Sequence, residues 1–194
     1  MVWFVWLNAI GLGLFALARG NSIGHSLVEV TPITACAIAA GMPRLGRRVR
    51  TGVVAIGLLT SSSVLVHRWD GQIEAHFYFF VMVTVLSIYE EWFPYLLGVA
   101  YVVVHHGVAG VLDPTSVYNH SGAWANPWEW AAIHGGFIAA LGVANITTWR
   151  MNEDLRAQNA RAHRDTLASE ERFRSAFDDA PIGIALVGAA GRIR

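Results

Sequence analysis

Eight histidines, at positions 25, 67, 76, 105, 106, 120, 134 and 163, stand in a chain of 194 residues that is 54% hydrophobic and 14% charged. Imidazole is the commonest metal ligand among side chains, and it changes charge near neutral pH. An ionisable group inside an apolar span is costly there, so it faces a protein interior and marks a site by default. His76, His105, His106 and His134 fall within apolar stretches, and His67 closes another. Four neighbouring spans that offer imidazole at similar depth predict one shared site, drawn from His67, His76, His105, His106 and His134. His25 and His120 fall in surface connections and need no partner. His163 lies apart, in a polar segment.

Three chemistries are open to such a cluster. Two histidines on facing helices can hold a b-type haem axially. Three or four converging imidazoles with little sulfur suit Zn, Cu(II) or non-haem Fe, and the metal-ligand candidates are His76, His105, His106 and His134. A third reading is a proton-sensitive cluster with no cofactor. No C-x-x-C-H occurs, which excludes covalent c-type haem.

Helix geometry narrows the set. Consecutive residues on a helix point about 100° apart, so His105 and His106 cannot both aim at one target. His105 shares its face with Tyr101, Ala109 and Leu112; His106 shares its face with Val99, Val103 and Gly110. The spacing leaves either one open, although Gly110 beside His106 would let a neighbour approach closely. His134 lines up with Ile138, Leu141, Asn145 and Thr148, and His76 with Phe80, Val83 and Ser87. Asp70, Glu74, Asp113 and Glu129 fall at the same level and are candidates to orient imidazole N–H groups.

The elements that must position these residues are membrane spans. Mean hydropathy is +0.42, and a charged share of 14% is far below the roughly 25% of soluble domains. A span needs about 20 apolar residues, within a range of about 17–25. Six segments qualify: Val2–Ala18, Ser26–Met42, Thr51–Trp69, Ile73–Tyr89, Pro94–Leu112 and Trp128–Trp149. The stretch from Asp113 to Pro127 reads as a true loop. Every basic residue is Arg, and formal net charge is zero, which gives no hint of nucleic acid. The lone Cys36, in an apolar run, excludes a disulfide framework.

Arginines set the orientation. Arg44, Arg47, Arg48 and Arg50 cluster between spans two and three, and Arg150, Arg156, Arg161 and Arg164 follow span six. Only Arg19 and Arg68 fall on the other side. By the positive-inside rule both termini are cytoplasmic and the protein is multi-pass in the inner (plasma) membrane. Seven of the eight histidines then fall on the outer side.

Beyond Trp149 the chain turns polar and helix-favouring, with a short stripe of Met151, Leu155 and Ala162. Residues 150–169 read as a cytoplasmic signalling helix. The tail ERFRSAFDDAPIGIALVGAAGRIR resembles the opening of a PAS domain: an amphipathic helix with Phe173 and Phe177, the break at APIGI, a strand, and a small-residue turn at Gly188–Gly191. This resemblance covers only Glu170 to Arg194 and implies a domain that continues further. The chain therefore reads as the N-terminal part of a longer protein.

The segment HFYFFVMVTVLSIYEEWFPYLLGVAYVVVHH resembles the N-terminal membrane region of bacterial sensory proteins. The matching positions are His76, Phe79, Phe80, Tyr89, Trp92, His105 and His106. In that group the region precedes PAS, diguanylate cyclase, phosphodiesterase, histidine kinase or chemoreceptor signalling domains. The resemblance implies sensing without naming a stimulus.

The expected architecture is an all-α membrane protein: a six-helix transmembrane sensor domain over residues 1–149, the signalling helix over 150–169, and the α/β start of a PAS domain over 170–194. The expected function is sensory input at an outer-side histidine cluster, holding haem, a metal or protons, relayed through span six to a PAS-linked output domain. The expected partners are membrane lipid, a second copy of the chain, and the downstream cytoplasmic output. That output would be a cyclic-di-GMP enzyme or a histidine kinase. Two rival readings are an intramembrane His-box metalloenzyme and a small-molecule transporter. The first lacks the H-x-x-x-H and H-x-x-H-H spacings it would need, and the second lacks the broken midplane helices of a transporter.

Overall fold

A computed structural model describes residues 1–178 of the chain. The first strand and the turn expected for a PAS domain lie outside these residues. Among the described residues the chain is helical and contains no strand. The helices are α1 (Val2–Ala18), α2 (Ile23–Gly41), α3 (Arg47–Arg68), α4 (Ile73–Leu86), α5 (Trp92–Leu112), α6 (Pro114–Val117), α7 (Ser121–Ala125) and α8 (Pro127–Asp178). A 3-10 turn, Ser87–Tyr89, extends α4. Helices α2, α3, α5 and α8 are long and apolar enough to cross a membrane, while α1 and Ile73–Tyr89 are apolar but shorter.

The helix bounds differ from the hydropathy spans for local reasons. Ser22 starts α2 three residues early, because its hydroxyl accepts the His25 N–H and satisfies an orphan donor of the first turn. Arg47 opens α3 ahead of the apolar run; its guanidinium sits 2.8 Å from Glu91, and Arg48 lies over the Phe93 ring. The expected loop from Asp113 to Pro127 is instead folded into α6 and α7. Pro114 supplies a fixed φ at the start of α6, and the His120 side chain accepts the Ala123 N–H to cap α7.

Two compact units divide at Trp149: Met1–Trp149 and Arg150–Arg194. In the first, α3 is central and packs against α1, α2, α4, α5 and α6. Lipid is as apolar as leucine, so helices in a bilayer associate through close packing and hydrogen bonds more than through apolar burial. This bundle uses both. The hydroxyls of Ser61, Ser62 and Ser63 bond back to carbonyls one turn earlier. Ser61 and Tyr78 also donate to the Asn8 side-chain oxygen, tying α1, α3 and α4 together. In the second unit, the helix from residue 150 onward carries exposed side chains, Met151 and Leu155 included.

Candidate metal centre

Three helices bring His76 (α4), His106 (α5) and His134 (α8) into one cluster. One ligand nitrogen of each lies within 4.8 Å of the other two. Ring centroids are 5.3 Å apart for His76–His106, 5.2 Å for His76–His134 and 4.9 Å for His106–His134. His106 is fully buried and His76 nearly so.

Each ring is oriented in the same way. Nδ1 of His76 lies 2.9 Å from the Gln72 carbonyl, Nδ1 of His106 lies 2.9 Å from Val102 O, and Nδ1 of His134 lies 2.8 Å from Trp130 O. A carbonyl oxygen only accepts, so Nδ1 carries the proton and donates, and Nε2 is left with a free lone pair. The Nε2 atoms of His76 and His106 are buried with no hydrogen-bond partner. The carboxylates expected to orient the rings do not do so. Asp70, Glu74, Asp113 and Glu129 are exposed, and the carbonyl four residues earlier on each ring's own helix takes that role.

The choice between His105 and His106 follows from packing. Their rings stand at 88° to one another. His105 turns towards Tyr101, with ring planes 16° apart, and the Tyr101 hydroxyl meets Thr60 and Ser63 of α3. His105 is therefore outside the cluster. His67 is also elsewhere: its Nε2 lies 4.0 Å from Glu29. His25 is 3.2 Å from the same carboxylate, and His163 is exposed on α8.

Small residues let the three helices close. A Cβ on Gly107 would meet the Trp128 ring at 2.3 Å, and one on Gly110 would meet Tyr118 at 2.8 Å. Tyr118, fully buried between α6 and α7, covers the cluster. Its ring centroid lies 5.8–6.5 Å from those of all three histidines. Its hydroxyl donates long bonds to the carbonyls of His106 and Pro127, and burial pushes its phenol above the usual tyrosine range. A cavity of about 460 Å³ adjoins the histidines, walled by Phe77, Phe80, Ile133 and Phe137.

Sequence reasoning missed Tyr118, which carries no signal beyond being an aromatic residue in a connection. It also missed the pair Glu29–Arg68, whose charged groups meet on the capped end of α2 and α3. A lone glutamate inside an apolar segment is the signal that marks it.

Transducer protein Htr8 of Halobacterium salinarum is similar to this chain, 46% identical over 114 residues. The match covers 59% of this chain and 18% of that protein, so the chain spans less than a fifth of the relative it matches. No family model matches the chain, and no solved structure matches it.

Proposed function

We propose that the chain is the membrane-embedded input module of a signal-transduction protein, and that a transition metal held by His76, His106 and His134 is its sensory element. The observation that carries this is the convergence of the three rings, each with Nδ1 on a carbonyl one turn back and each offering a ring nitrogen within 4.8 Å of the others. Imidazole bound to a metal through one nitrogen has its other N–H fixed in this way. The three ring nitrogens, within 4.8 Å of one another, would have to draw closer to share a tetrahedral ion at about 2.0–2.1 Å. Three protein ligands would leave a fourth position for solvent or a small ligand. Three converging rings suit a compact ion better than the two opposed axial ligands of a haem.

The likeness to a transducer protein supports the signalling role. In this reading the bundle crosses the membrane six times, with both termini cytoplasmic and the histidine end outside. The part of α8 beyond Trp149 pairs with a second copy and passes the signal to a PAS domain and an output domain. Such coupling requires the ion to favour one packing of α4, α5 and α8 over another.

Elemental analysis and optical spectra of the purified chain test the reading. One transition metal per chain is expected, lost in His106→Ala and His134→Ala and kept in His105→Ala and His67→Ala. A Soret band in place of free metal, or metal retained in His106→Ala, would overturn it.

A further inference from the structure

A second cavity opens at the same end of the bundle and shares no residue with the histidine triad. It has a volume of about 580 Å³ and lies among the ends of α1, α3 and α5, the α3–α4 turn, and α6. Two guanidinium groups line it, Arg19 and Arg68, together with two carboxylates, Asp70 and Asp113. Its volume falls within the roughly 300–1,000 Å³ of small-molecule sites.

The floor is built in detail. The Arg68 side chain is only 9% exposed and is held through Nε by Glu29, itself 13% exposed. Its Nη2 is buried and makes no hydrogen bond within the protein. A buried guanidinium N–H without an acceptor is costly and rare in native structures. Arg68 as a residue lines the cavity, so its guanidinium borders the space in which an acceptor would bind. The walls are also set. Asp70 adopts a left-handed backbone, with φ of 48°, and Gly71 follows at 68°. There a Cβ would meet the Tyr118 backbone at 2.4 Å. Asp113 accepts from the Thr115 hydroxyl at 2.9 Å.

Charge decides the ligand class. The lining carries guanidinium and carboxylate groups together, with Glu29 already beside Arg68, so a ligand of a single charge meets groups of both signs. A dipolar ligand satisfies both sets, and guanidinium matches a carboxylate in planar, two-pronged geometry. We propose that this cavity binds a small zwitterion of the free α-amino acid class, its carboxylate on Arg19 and Arg68 and its ammonium on Asp70 and Asp113. Occupancy would tie the ends of α1, α3 and α5 to α6, the segment that leads into Tyr118 over the histidines. This inference goes beyond the metal reading and does not require it.

Calorimetric titration of the full chain in phosphatidylcholine nanodiscs tests it, with each of the standard amino acids as probe and acetate and ethylammonium as single-sign controls. At least one amino acid with an uncharged side chain is expected to saturate one site per chain. Arg19→Gln and Asp70→Asn, both at exposed positions, should each weaken that binding by about tenfold or more. The proposal fails if no amino acid saturates by about 10 mM while circular dichroism reports a folded chain. It also fails if both variants bind as the parent does, or if acetate or ethylammonium binds equally well. Metal content is measured on the same samples, so the failure of this site and the failure of the triad are read separately.

Discussion

Two groups of histidines sit at the same end of one bundle and have opposite surroundings. His76, His106 and His134 point at each other, each with Nδ1 on a backbone carbonyl. His25 and His67 flank the Glu29 carboxylate, which also holds Arg68. An imidazole beside a carboxylate has that nitrogen already engaged. An imidazole whose N–H is committed to a carbonyl offers a free lone pair to whatever fills the space between the rings. The difference comes from helix register: a partner one turn back on the same helix orients the ring without adding charge. The first group is therefore suited to ligate an ion, whereas the second lies beside a buried ion pair, Glu29–Arg68.

The largest effect on folding should come from the second group. Glu29→Ala leaves the Arg68 guanidinium, 9% exposed, without its counter-ion. Breaking a buried pair in this way costs about 3–5 kcal/mol. Chemical unfolding in detergent should show that loss, and bound metal per folded chain should not change. The double change Glu29→Leu with Arg68→Met should recover most of the stability, because the expense lies in the uncompensated charge. Metal loss in Glu29→Ala at full folding would collapse the distinction between the two groups.

The next effect tests the seam that closes the first group. Gly107→Ala places a methyl 2.3 Å from the Trp128 ring, so that ring or the start of α8 must shift away from α5. Overpacking of this kind costs about 1–3 kcal/mol, and His134 moves with α8. Weaker metal binding should accompany the loss of stability. Gly136→Ala, one residue beyond Gly135, meets nothing within 4 Å and should stay within about 0.5 kcal/mol of the parent. Equal behaviour of the two variants would mean that the glycine seam does not set the geometry of the triad.

How much of this was legible in the sequence depends on the range of the interaction. The helices were readable because hydropathy is a local property, and the small residue beside His106 was a fair pointer: Gly110 does receive a close neighbour, Tyr118. The choice of His106 over His105 was not readable. It turns on which face of α5 meets α4 and α8, and a helix apolar on every side gives no amphipathic signal to fix that rotation. The orienting role expected of Asp70, Glu74, Asp113 and Glu129 failed for a related reason. Level along the membrane normal says nothing about direction, and for these three rings a carbonyl one turn back on the same helix takes the role. The loop between spans five and six hid two short helices, since four- and five-residue elements leave no periodicity to detect.

The smallest effect, that of Tyr118→Phe, concerns the cover over the triad. The exposed rim of the second group lies open to a cavity, while Tyr118 covers the first. Tyr118 can hold its place by shape or by its hydroxyl. The hydroxyl bonds, at 3.4 and 3.3 Å, are long, and a typical intramolecular hydrogen bond contributes only about 0.5–1.5 kcal/mol. Tyr118→Phe should therefore cost about 1 kcal/mol or less and leave metal affinity nearly unchanged. Tyr118→Ala removes a fully buried ring, at about 3–5 kcal/mol for an aromatic truncation, and should expose the triad to a hydrophilic chelator. The chelator's rate of metal removal separates the two cases: a rate raised in Tyr118→Ala alone assigns the cover to packing, and a rate raised equally in Tyr118→Phe assigns it to the two carbonyl bonds.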